Sequence, residues 1–192
     1  MSDETRRILD EATAAVAVAR ANADARKQEC LDVVADGLPT KVDRLAKHTA
    51  QAQPDVTKAL GVDGVRALRN ELAAKAAELA GYVRTGSDKI QWPRRGDAWE
   101  KVESRKVHSA LFNFMYGAPT NRVGDVFERC GYDVRRSDRS GAQSLVLPQN
   151  LYDEDFGAVV EALHELGTAE ISLKKAKEAD DRDVVDSLWG EV

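Results

Sequence analysis

Apolar residues recur at steps of three and four through the first stretch of the chain: Ile8, Ala12, Ala15, Ala19, Ala23, Cys30 and Val33, with Arg26 interrupting the series. Positions three and four apart share a helical face, so this spacing predicts one helix over residues 2–36 with one buried seam. Asp3 and Glu4 suit the positive end of its dipole, and Gly37 followed by Pro39 predicts its stop. At ~1.5 Å per residue such a helix is roughly 50 Å long. Its alanine-rich seam needs a partner along that length, because intrinsic propensity alone leaves it marginal.

A short helix is expected over 40–51, with Val42, Leu45, Ala46 and Thr49 on one side, and Pro54 ends it. Residues 55–60 form another turn, interrupted at Gly61 and Gly64. Val65, Leu68, Leu72, Ala76, Leu79 and Val83 then restore the helical step and predict a second strong helix over about 62–84. Its length lets it return antiparallel along the first, so residues 1–86 read as a helical hairpin with a folded connection.

Gly86, Pro93 and Gly96 punctuate a connector over 87–97 that Ile90 and Trp92 are expected to pin to a neighbour. Beyond it, Val102, Val107, Ala110, Leu111, Phe114 and Met115 predict a helix over 98–116. A turn follows at 117–120, with Thr120 as a cap, and then a short helix over 121–130 with Val123, Val126 and Phe127 inward and Gly131 as a left-handed terminator. Two strands are expected, 132–136 and 143–147, around the polar turn 137–142. The order helix, turn, helix and two-stranded hairpin over 98–149 resembles a winged-helix module in layout, without a family-specific residue string. In the last part, 150–192, Asn150 offers a cap, and Phe156, Val159, Val160, Leu163, Leu166 and Ala169 mark a helix that Gly167 weakens. Asp180, Asp181 and Asp183 open a final turn with Val184, Val185, Leu188 and Trp189. The fold class is therefore mainly α: a long N-terminal antiparallel hairpin, a small winged-helix-like α+β module and acidic C-terminal helices.

A chain of 192 residues buries a core without staples, and 43% hydrophobic with 32% charged residues is an ordinary globular balance. No run reaches the ~18–20 apolar residues of a membrane span, and the first residues lack an apolar leader, so a soluble cytoplasmic protein is expected. Charge is distributed unevenly. Residues 1–87 carry 13 basic and 13 acidic side chains, 88–149 carry 11 and 8, and 150–192 carry 4 and 12. That asymmetry bears on partners and self-association.

The layout of 98–148 gives one functional expectation: a DNA-binding regulator dimerised through the N-terminal hairpin. Asn121, Arg122 and Arg129 would lie on its reading helix, and Arg135, Arg136 and Arg139 on its wing. Asp125, Glu128, Asp133 and Asp138 stand among those arginines, so few phosphates would be neutralised and duplex DNA would be held weakly.

Metal and catalytic chemistry has less support. His48, His108 and His164 are isolated, and His164-Glu165 begins like a zinc-protease helix but has Thr168 where the second histidine belongs. The run Asp180, Asp181, Asp183, Asp186 lacks the central glycine and closing glutamate of a calcium loop. No nucleophile elbow, phosphate loop or dinucleotide fingerprint occurs, and Arg95-Gly96-Asp97 is a chance match to an adhesion tripeptide. Carboxylates are plentiful enough for a dispersed catalytic pair, but none is singled out. Cys30 and Cys130 leave a disulfide open and read more simply as buried, reduced thiols.

The leading expectation is a non-enzymatic scaffold or adaptor, oligomeric through coiled-coil-like helices, that needs no cofactor or metal and binds protein partners or itself. Leu188 and Trp189, in their acidic setting, are its candidate docking residues.

Overall fold

A computed structural model describes residues 3–93, 106–107, 123–133, 135–136, 143–144 and 156–190. It is mainly helical: α1 (Asp3–Ala52), α2 (Pro54–Arg84), α3 (Val123–Arg129) and α4 (Gly157–Gly190). The chain divides into two compact units. One comprises Met1–Glu29, Trp92–Val107 and Asp155–Val192; the other comprises Cys30–Gln91 and His108–Glu154.

Helix α1 does not stop at Gly37 and Pro39 but runs through both to Ala52. An interior proline costs about 3 kcal/mol and an interior glycine about 1 kcal/mol. Against this, Leu31, Val34, Leu38, Val42 and Leu45 are all buried on one stripe that crosses the break. Burying each contributes about 1.5–3 kcal/mol, so packing outweighs the local breakers. The seam is also set differently from the expected one. Ala23 is buried, but Ile8 and Val33 are exposed, and Val16, Leu31 and Val34 take the inner positions.

In the second unit, residues 30–52 of α1 pair antiparallel with α2. Thr57 Oγ1 donates to the Ala50 carbonyl (3.0 Å), Arg69 Nη2 to Asp43 Oδ1 (2.9 Å), and Arg84 reaches Asp36 and Asp32. The hairpin turns at Gln53, with Pro54 in the first turn of α2, where its missing N–H costs nothing. The α2 seam is the one its spacing predicts: Leu68, Leu72, Ala76, Leu79 and Val83 are buried. Gly61, with φ 65° and ψ −178°, interrupts the helix at the expected place.

Helix α3 packs on α2. Gly131 has φ 85°; its N–H donates to the Glu128 carbonyl (2.9 Å), and the Tyr132 N–H donates to the Phe127 carbonyl (3.1 Å). This paired closure, with a left-handed glycine and an apolar contact across it, is a Schellman terminator. The glycine stands where the sequence places a terminator, whereas residues 132–133 do not form the strand expected after it.

Among the described residues the expected winged-helix-like α+β module is not formed. Tyr132, expected in the first strand, is buried, and its hydroxyl lies 3.0 Å from Thr57 Oγ1. The Gln53 side chain donates to the Asp133 carbonyl (3.1 Å) and accepts from its N–H (2.8 Å). Residues 132–133 thus spend their bonds on the helical hairpin. Pairing among the described residues is confined to Arg135↔Ser144 and Arg136↔Gln143, which is too short for a wing. The helix expected over 98–116, the turn 137–142, Asn121, Arg122 and Arg139 lie outside the described residues, apart from the helical pair Lys106 and Val107.

In the first unit, residues 3–29 of α1 pair antiparallel with α4, a partner that sequence spacing did not assign. Thr5 Oγ1 donates to Asp183 Oδ2, Arg20 pairs with Glu170 (3.2 Å) and Asn22 Nδ2 donates to Glu165 (3.3 Å). Val16, Ala23, Val159, Ala162, Leu163 and Ala176 are buried in this unit. Helix α4 passes through Gly167 and the acidic run without a break.

Candidate functional site

Small side chains and one interrupted helix open a groove in the helical hairpin. From α1 it takes Pro39, Val42, Asp43 and Ala46, spaced three or four apart on one stripe. From α2 it takes a matching stripe that begins at Val62, directly after the Gly61 break, and continues through Val65, Arg66, Arg69, Leu72 and Ala73. The space is about 470 Å³. Val42, Ala46 and Leu72 are buried at its base, while Val62 stands 76% exposed at its lip.

Ion pairs decorate the rim. Arg69 bonds one oxygen of Asp43 at 2.9 Å and Lys47 bonds the other at 2.8 Å. Lys47 first, and Arg69 after it, hold the Asp43 carboxyl below its ordinary value. With both oxygens engaged, Asp43 is a poor general base. Among the described residues Arg66 pairs with its helical neighbour Asp63, at 2.9 Å on an exposed surface. Asn70 completes the polar lining, and the described lining contains no serine, cysteine or histidine.

A second surface lies at the end of α4. Val184 is 41% exposed, Val185 50% and Trp189 78%. Val185 and Trp189 are four residues apart and therefore share a face. Trp189 stands largely in solvent. Leu188 lies within the same helix.

The other residues singled out by sequence are dispersed. Arg129 ion-pairs with Glu71 of α2, while Arg135 and Arg136 form one side of the short bridge. His48 and His164 are exposed on separate units. Cys30 and Cys130 are half-buried and not joined by a disulfide. Among the described residues no three of His, Cys, Asp or Glu come together to hold a metal, and no helix is long and apolar enough to cross a membrane.

The groove was missed in sequence because its walls, 39–46 and 62–73, are 16 to 34 residues apart. The available signal was Gly61, which interrupts α2 just before the stripe that begins at Val62. Compared with protein-family models, curated proteins and solved structures, the chain matches none.

Proposed function

We propose that this chain is a non-enzymatic helical scaffold or adaptor of the cytoplasm that works through protein–protein contacts and self-association. The observation that carries this reading is the outward apolar face at the end of α4, Val184, Val185 and Trp189, in a segment rich in aspartate. A tryptophan left in water forfeits the burial its large apolar ring gains in a contact. Tryptophan is also over-represented among residues that dominate binding energy.

The test is light scattering of the full chain over a concentration series, with affinity capture from native lysate beside it. The expected result is an oligomer, or a set of retained proteins, that the Trp189→Asp variant loses. A strict monomer that retains nothing overturns the reading.

A further inference from the structure

We infer that the groove between Pro39–Ala46 and Val62–Ala73 receives the Val185–Trp189 face of α4 from a second copy of the chain. This inference rests on the scaffold reading above and names its partner.

Charge selects the occupant. The groove is lined by two basic and one acidic side chain, Arg66, Arg69 and Asp43, with Lys47 beside Asp43 at the rim, whereas residues 178–190 carry one basic and five acidic. The two surfaces therefore attract, which raises encounter rates and fixes register more than it adds raw affinity. At the groove, Arg66 is the cation most available for this. Its present partner is an exposed i,i+3 aspartate, an interaction worth a few tenths of a kcal/mol.

Shape agrees with charge. A space of about 470 Å³ falls inside the ~300–1,000 Å³ range of cavities that hold small organic groups. It accommodates an indole and the valine one turn before it. The walls are apolar at the base and charged at the rim, the arrangement of a contact that excludes water at its centre. Val62 and Trp189, the two most exposed large apolar side chains among the described residues, sit one on each surface.

Groove and knob are different surfaces, so the contact is heterologous. Each copy offers one of each, and association continues to a ring or an open series unless one surface is blocked. This makes the proposal separable from a symmetric dimer. Val62→Asp blocks the groove and Trp189→Ala removes the knob. Both positions are exposed, so neither change disturbs the fold, which circular dichroism checks.

Sedimentation of the full chain should show concentration-dependent association beyond the dimer. Each variant alone should weaken it by at least about ten-fold, as loss of a central anchor does. Mixed one to one, the two variants should form a dimer and stop there, because only one intact groove meets one intact knob. Association within two-fold of wild type in both variants, or a mixture that gives no dimer, overturns the inference and leaves the scaffold reading in place. A wild type that stays monomeric up to about 1 mM also overturns it; if that monomer still captures proteins through Trp189, the scaffold reading survives alone.

Discussion

The ring of Tyr132 meets Phe127 edge-on, with centroids 5.7 Å apart and planes at 85°. The contact spans the glycine that closes α3, so one aromatic pair both terminates a helix and joins it to the hairpin through the Thr57 hydroxyl. Phe127 is fully buried, and Phe127→Ala should cost about 3–5 kcal/mol. Tyr132→Phe keeps the ring and loses only the hydroxyl bond, about 1 kcal/mol. Urea midpoints at constant slope measure both, and an unchanged Tyr132→Phe midpoint would remove the hydroxyl from the account.

Two glycines of α2 should respond in opposite directions. A methyl group at Gly61 would meet open space, but the residue has a φ of 65°, so Gly61→Ala strains the backbone alone, by about 1–3 kcal/mol. Gly81 is helical, exposed and equally unobstructed. Gly81→Ala should therefore stabilise by about 0.5–1 kcal/mol. Calorimetry of the two variants should show melting temperatures displaced to either side of wild type.

Pro39→Ala restores an N–H that can bond to the Ala35 carbonyl inside α1. The gain of up to about 3 kcal/mol in the helix is offset by about 0.4–1 kcal/mol of freedom regained by the unfolded chain. A net stabilisation of about 2 kcal/mol is expected by thermal unfolding. Destabilisation would mean that the proline itself is needed for the packing of the hairpin.

Asp43 supplies a pH dependence. Lys47 and, after it, Arg69 hold its carboxyl below the ordinary aspartate range. A depressed folded-state pKa means stabilisation that is fully present above the unfolded value and lost as pH falls through the folded one. Asp43→Asn should thus be slightly less stable than wild type at neutral pH, with the gap closing below about pH 4 and shrinking in high salt. A gap that persists at pH 2 would point to packing instead of charge.

Ala23 tests the pairing of α1 with α4. It is completely buried, and Ala23→Leu should overpack the unit by about 1–3 kcal/mol. The loss should appear as a lower melting temperature, whereas the same change at exposed Ala15 should be within about 0.5 kcal/mol of wild type.

How far these features were legible from sequence depended on range. The α2 seam, the Gly61 break and the Gly131 terminator are local, set by spacing and by one backbone conformation, and all were readable. The continuity of α1 was not, because Pro39 is a strong local signal and the burial that overrides it is supplied by residues elsewhere. The wing failed for the same reason: the alternation over 132–136 is real, but Gln53, 80 residues away, claims the Asp133 backbone. Of the candidate site, Trp189 was visible as an aromatic in an acidic segment. The groove was not, since its two stripes each look like ordinary helix faces.

The two helical pairings differ in how long the growing chain must wait for them. Bonds between α1 and α2 join residues 7, 26 and 48 apart, so that hairpin can close soon after Arg84 is synthesised. Bonds between α1 and α4 join residues 143, 150 and 178 apart. Contacts of such long separation form late, and chains emerge at only ~5–20 residues per second. For seconds during each round of translation the stripe through Val16 and Ala23 is therefore without its mate, and that interval is when a chaperone, or a neighbouring nascent copy, has first access to it.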